Sequence, residues 1–319
     1  MKLLSILKTT FICFFAVLIV GCTSSNNNSN DNNSTNNKSV EMITVKDSIG
    51  DVQIPKNPKR IVDLSGNSDI LSILGYSVVG TANSDAYDYT KFPSYLEETL
   101  KDAKILGYSM QDTVDIEGVL NLNPDLIIIS KTQEKMYEQL KSIAPTIMIE
   151  LEQIDWKKDI LKVASILNKE DAANKWLENY ESNAKQKGNE IKEKYGNETT
   201  YLSILASGGQ IFVFDSAGVG GILYEDMGLN KPAKLPVQDT ISLPVVNYEG
   251  LLEIDSDYMI LIGTDEDINA LKQSPIYNNL NAVKNNNVIE LPSSPYFNMV
   301  YSSIGRDIFV NQFVDLMGN

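Results

Sequence analysis

The chain has 319 residues, is 43% hydrophobic and carries a formal net charge of −15. That length and apolar content suit two packed domains and exclude a chain disordered throughout. The acid excess, with no basic stripe, argues against a nucleic-acid partner.

Residues 1–21 open with Lys2 and Lys8, then run through "FICFFAVLIV" to Gly21 and Cys22. The apolar run is short for a membrane span and reads as a signal-peptide core. "IVGC" has the form of a lipoprotein cleavage box, which makes Cys22 the lipidated residue. Cleavage there removes two lysines and no acid, leaving 25 of the 27 basic residues and all 42 acidic ones. Cys13 leaves with the signal, so the mature chain has one cysteine and no internal disulfide. Residues 22–39 are nearly all Asn and Ser, with nothing to bury, and are expected to form a flexible tether. A lipid anchor and a slack leash predict a protein held at the extracytoplasmic face of the cell membrane. A monomer is expected.

In residues 40–167, the β-branched runs "RIVDLS", "VVGTA", "DLIIIS" and "TIMIEL" alternate with helical patterns such as "SDILSILG" and "IEGVLNL". Short continuous apolar runs suit parallel strands buried on both faces. Residues 168–196 hold the longest helical pattern, with Trp176, Tyr180, Ala184 and Ile191 among its apolar positions. Asn168 is the expected N-cap and Gly196 the expected stop. Residues 197–319 repeat the rhythm with "YLSILAS", "QIFVFD", "YMILIG" and "NVIEL", and close on a helix near residues 302–317. The predicted fold is α/β: two Rossmann-like lobes with mainly parallel sheets, bridged by one long α-helix.

One phrase occurs twice. "VDIEGVLNLNPDLIII" at residues 114–129 matches "VNYEGLLEIDSDYMIL" at residues 246–261, setting Glu117 opposite Glu249 and Asp125 opposite Asp257. A helix feeding a buried strand, once per lobe, explains the repeat. The aspartates read as turn formers. The glutamates sit early in short helices, where an acid favours the helix dipole; that is one reading of them, and a functional one stays open.

The chain has no histidine. Ser-His-Asp and Cys-His catalysis, His-based zinc sites and His-ligated haem are therefore excluded. "FVFDSAGVGGILYEDMG" lacks the third glycine of a dinucleotide loop and the lysine of a phosphate loop, so its glycines read as a tight turn into a helix. Nothing predicts an enzyme, a resident cofactor or a direct metal site.

The order of "PKRIVDLS", "LGY", E-x-x-x-x-L-x-P-D-L-I-I, "IAPTI", the long helix, "GILYEDMGL", "VVNYEGLLEIDSDY" and "NLNAVKNNNVIEL" resembles the extracytoplasmic substrate-binding proteins of ABC importers for iron–siderophore, haem and cobalamin. The likeness runs from about residue 42 to residue 317. It implies a ligand held between two lobes. It also implies that Glu117 and Glu249, by their place in the motif, dock onto arginines of a permease dimer.

The ligand is expected at loops after strand carboxyl ends. Those loops carry Asn67, Tyr87, Tyr89, Tyr108, Met110, Lys131, Tyr296 and Tyr301. Tyrosines suit a large, partly polar chelate, although they also serve simply to cover loops. Arg306 is expected to face either an acid partner or an anionic ligand. The few cations favour a weakly charged ferric chelate such as a hydroxamate. The alternatives are haem or a corrinoid in the same family, and outside it a carboxylate-based enzyme or a surface adhesin.

Overall fold

Residues 40–318 are described by a computed structural model, and the predicted signal, tether and Cys22 lie outside them. The described chain opens with an antiparallel ribbon, β1 (Met42–Lys46) against β2 (Asp51–Pro55). Asp47 closes its turn, Oδ1 accepting from the backbone N–H of Ile49 (2.8 Å) and Gly50 (2.9 Å). Its Oδ2 accepts from the N–H of Met148 (2.8 Å), which pins the ribbon to the first lobe.

That lobe is built on a five-stranded sheet of β3 (Ile61–Asp63), β4 (Val78–Asn83), β5 (Lys104–Tyr108), β6 (Leu126–Ile129) and β7 (Thr146–Met148). The order is β5-β4-β3-β6-β7 and every pairing is parallel. The central strands β3 and β6 are buried on both faces, in keeping with their apolar residues Ile61, Val62 and Leu126–Ile129. The edge strand β5 had no such signature: it begins on Lys104, contains Gly107 and is only half-buried.

The bridging helix runs Glu170–Tyr195, 26 residues or about 39 Å. Its buried face is Ala173, Leu177, Tyr180, Ala184, Gly188 and Ile191, a helical repeat. At Gly188 it meets the second lobe so closely that a methyl group would lie 1.8 Å from the Met227 carbonyl oxygen. Gly196 ends the helix at φ 106°. Asn168 is not its N-cap. A separate helix, Trp156–Leu167, precedes it, and Asn168 ends that one in the left-handed conformation (φ 54°, ψ 50°). Asparagine tolerates that conformation as readily as it caps a helix start, so the residue alone did not distinguish the two.

The second sheet is β10-β9-β8-β11-β12. Here β8 (Tyr201–Ser207), β11 (Tyr258–Gly263) and β12 (Val288–Pro292) are parallel. Between β8 and the short edge β10 (Val245–Val246), β9 (Gln210–Val213) runs antiparallel to both. The last helix, Ser303–Leu316, packs on the bridging helix and on the helix Ser68–Ile73 of the first lobe. The chain end therefore ties the lobes together a second time.

The repeated aspartates have matching jobs. Asp125 accepts from the N–H groups of Lys59 (2.7 Å) and Arg60 (2.9 Å), at the entry to β3. Asp257 accepts from the N–H (2.9 Å) and hydroxyl (2.8 Å) of Thr200, at the entry to β8. Each fixes the start of a neighbouring strand. Asp125→Ala or Asp257→Ala is expected to cost about 1–2 kcal/mol in urea unfolding, with no effect on ligand stoichiometry. A loss under about 0.3 kcal/mol would contradict the role.

Candidate functional site

The segments following β3 and β4 meet residues 293–303 of the second lobe along a seam, and the loop after β5 flanks them. At its base, Asp63 is fully buried and accepts from the Ser65 hydroxyl (2.6 Å), the Ser65 N–H (3.0 Å) and the Ser68 hydroxyl (2.6 Å). Asp69 reaches across the seam. It accepts from the Ser302 hydroxyl (2.9 Å) and the Ser303 N–H (2.6 Å), so it holds the N-terminus of the last helix from the opposite lobe. Burial pushes both carboxyls above the usual aspartate range.

Above that base the seam is aromatic. Asp85 is buried, and its Oδ1 accepts from the N–H of Tyr87 (2.8 Å) and Asp88 (3.2 Å), and from Asn298 of the other lobe (3.2 Å). That turn aims Tyr87 edge-on at Phe297 across the seam, with centroids 6.2 Å apart. Phe297 meets Tyr301 at 5.7 Å, and Tyr89 stacks on Tyr108 at 5.2 Å and 21°. Tyr87, Tyr89 and Met110 remain 43%, 42% and 65% exposed, an open apolar surface beside a closed one. Buried Gln133 fixes the Tyr108 loop, its amide donating to the carbonyls of Ser109 (2.7 Å) and Gln111 (2.9 Å).

The second lobe adds the glycine turn. Gly218 sits at φ +57°, and a methyl group there would lie 2.7 Å from the Phe214 ring and 3.2 Å from the Tyr301 hydroxyl. Burial pushes that hydroxyl up to about 12. The turn is held by buried Gln238, which accepts from the N–H of Asp215 (3.2 Å) and Ala217 (3.1 Å).

Three expected ligand residues contact other parts of the protein. Asn67 donates to the carbonyl and hydroxyl of Ser65, both at 3.2 Å, and so steadies its own turn. Tyr296 packs edge-on against Phe309 at 6.3 Å. Arg306 takes the acid of its two expected partners. Its guanidinium lies 3.2 Å from Asp226 and 4.7 Å from the Trp156 ring centroid, with the side chain 1% exposed. Asp226 also accepts from the Tyr180 hydroxyl (2.8 Å) and pairs with Lys157 (3.0 Å), closing a hub among both lobes and the bridging helix. As placed, Arg306 is a structural cation, buried because its charge is matched. Lys131 stays exposed but pairs with Glu134 at 2.8 Å. Sequence reasoning placed Asp85, Phe297 and Asn298 within expected cleft loops, 83–89 and 293–301, without singling them out, and passed over Gln238. Only the residues N-S-D-A-Y-D, with an acid two before a tyrosine, hinted at the Asp85 turn.

The two repeated glutamates lie on matching short helices, Ile116–Asn121 and Tyr248–Ile254. Asp115 caps the first by accepting from the Gly118 N–H (2.8 Å), and Asn247 caps the second by accepting from the Gly250 N–H (2.7 Å). Glu117 and Glu249 are exposed in the first turns. Among the described residues neither has a cation within 4.0 Å.

The family model for "Periplasmic binding protein" matches residues 68–295. The chain belongs to the periplasmic binding protein family. This periplasmic binding protein is 31% identical to the iron(3+)-hydroxamate-binding protein FhuD of Bacillus subtilis (strain 168), over 94% of this chain and 95% of that one. It is 29% identical to the petrobactin-binding protein YclQ of the same organism, over 81% and 82%. Among solved structures, the FhuD protein from S. pseudintermedius superposes with a TM-score of 0.69 at 25% identity, over 87% of this chain and 98% of that one. Two α/β lobes thus stand as the sequence predicted.

Proposed function

We propose that this protein captures a ferric siderophore between its lobes and delivers it to the permease of an ABC importer. The carrying observation is the aromatic surface at the seam: the Tyr89–Tyr108 stack and the Tyr87–Phe297 contact, with open tyrosine and methionine faces beside them. Flat rings with polar tips suit a bulky chelate that is neither wholly apolar nor wholly polar. Named relatives that bind ferric hydroxamates and petrobactin support the same reading. Iron enters as cargo inside its chelator, so the protein supplies shape, hydrogen bonds and charge but no metal ligand and no resident cofactor.

The rest follows from that role. The lipid on Cys22 and the tether of residues 22–39 hold the protein at the extracytoplasmic face of the membrane. Glu117 and Glu249, one per lobe, engage basic residues of the permease and register both lobes on it. No bond is made or broken in the cargo.

Native mass spectrometry of the mature chain with ferric hydroxamates, catecholates and carboxylates, haemin and cobalamin tests the reading. A one-to-one complex with a ferric chelate is expected. A complex with haemin or cobalamin alone would replace the ligand and keep the fold, and no complex at all would remove the transport role.

A further inference from the structure

Resting on the ferric-chelate reading, we infer that the seam discriminates by charge: it accepts a chelate of zero or positive net charge, and favours one bearing an ammonium group over the same chelate without it. Every cation placed on or beside the facing loops already faces a carboxylate. Lys91 lies 2.9 Å from Asp88, and Lys135 lies 3.3 Å from Asp112. Lys131 lies 2.8 Å from Glu134 and 4.0 Å from Glu150. In the second lobe, Lys231 lies 2.7 Å from buried Asp215, and Arg306 is buried against Asp226. Among the described residues, the lysines without a carboxylate within 4.0 Å fall on the ribbon, ahead of β3 and on helices, the bridging helix above all. None lies on the loops after β3, β4 and β5; Lys162 donates to the Glu150 carbonyl oxygen, beyond β7.

The surplus on those loops is negative. Asp85 accepts from N–H donors alone and has no cation within 4.0 Å among the described residues; Lys91, paired with Asp88, is the cation its charge reaches. The field of Asp85 reaches the aromatic pair: the Tyr108 hydroxyl is held above its usual range by burial first and by that charge second. The open ring faces of Tyr87 and Tyr89 add an attraction of the same sign, since an aromatic face draws a cation. A chelate carrying three negative charges meets no unpaired ammonium or guanidinium here. To bind, it would have to take a lysine from its partner. For an ammonium about 10 Å from one surplus carboxylate, at an effective dielectric between protein and water, the preference over an uncharged analogue comes to about 3- to 10-fold.

The test titrates the mature chain calorimetrically with three ferric complexes: a linear trishydroxamate with a free terminal amine (desferrioxamine B), its N-acetylated form, and a triscatecholate of charge −3. The first two share one iron core and differ by a single charge. The amine form is expected to bind about 3- to 10-fold more tightly than the acetylated form, with the ratio shrinking toward one as salt rises. The triscatecholate is expected to bind at least about 100-fold more weakly than either. Asp88→Asn frees Lys91, and should narrow the first ratio and improve triscatecholate binding. Equal affinities for the amine and acetylated forms would overturn the inference. So would a triscatecholate that binds as well as they do, or an Asp88→Asn variant that moves neither quantity. If none of the three binds, the ferric-chelate reading itself fails.

Discussion

Alanine at both Glu117 and Glu249 is expected to stop uptake of the ferric chelate while leaving its binding unchanged. Each side chain is exposed, and each short helix keeps its cap at Asp115 or Asn247, so neither substitution should disturb a lobe. Their place is what gives them weight. They occupy equivalent positions of a duplicated helix–strand unit, one on each lobe. A receptor with two equivalent subunits can read both at once. Losing one partner of a charge pair that becomes buried on docking costs about 2–5 kcal/mol. Each single variant should therefore lose about 30-fold or more in permease affinity, and the double variant should fall to background. The measurement is uptake of radiolabelled iron chelate in cells, beside calorimetric binding by the purified variants. Normal uptake by the double variant would remove the docking role. Loss of chelate binding would move both residues into the ligand site.

Asp226→Ala is expected to give the largest loss of stability of any single change in the hub. Its carboxylate is 1% exposed and holds Arg306 at 3.2 Å, Lys157 at 3.0 Å and the Tyr180 hydroxyl at 2.8 Å. Arg306, equally buried, would keep its charge without the carboxylate in contact with it, and its Nε already lacks a hydrogen-bond partner. Breaking a buried pair on one side costs about 3–5 kcal/mol, which for a chain of this size lowers the melting temperature by roughly 10 °C. The double replacement Asp226→Leu with Arg306→Met removes both charges and should recover most of the loss. Circular dichroism melts decide it. If Asp226→Ala costs under about 1 kcal/mol, or if the double variant is no better than the single, the hub does not depend on charge matching.

The parts of the fold legible in the sequence share one property: their signal is local. The runs "DLIIIS", "YMILIG" and "YLSILAS" are buried on both faces and show it in unbroken apolar character. The bridging helix shows a long helical repeat and a terminal glycine. The missed elements are those half-exposed or cut short. The ribbon β1–β2 alternates exposed and buried positions, and β5 lies at a sheet edge. The helix Trp156–Leu167 escaped notice because a single left-handed residue, Asn168, separates it from the next turn of the chain.

The site divides the same way. Glu117 and Glu249 could be picked out because a repeat marks equivalent positions whatever lies between them. Loop composition marked Tyr87, Tyr89 and Tyr108 as candidates for one surface. It could not show that Tyr89 stacks on Tyr108 while Tyr87 crosses to Phe297, because side-chain pairing depends on how two loops meet. Nor could it choose between an acid and a ligand for Arg306. Asp226 stands 80 positions away, at the end of the segment Gly221–Asp226, and the two charges meet only because that segment and the last helix both pack on the bridging helix. By itself, the sequence determined the lobed α/β plan, the absence of histidine chemistry and the paired glutamates, since periodicity, composition and repetition are properties of the chain. The tertiary structure alone decided which polar groups are spent on one another and which remain open to a ligand, because burial and pairing exist only once distant segments have met.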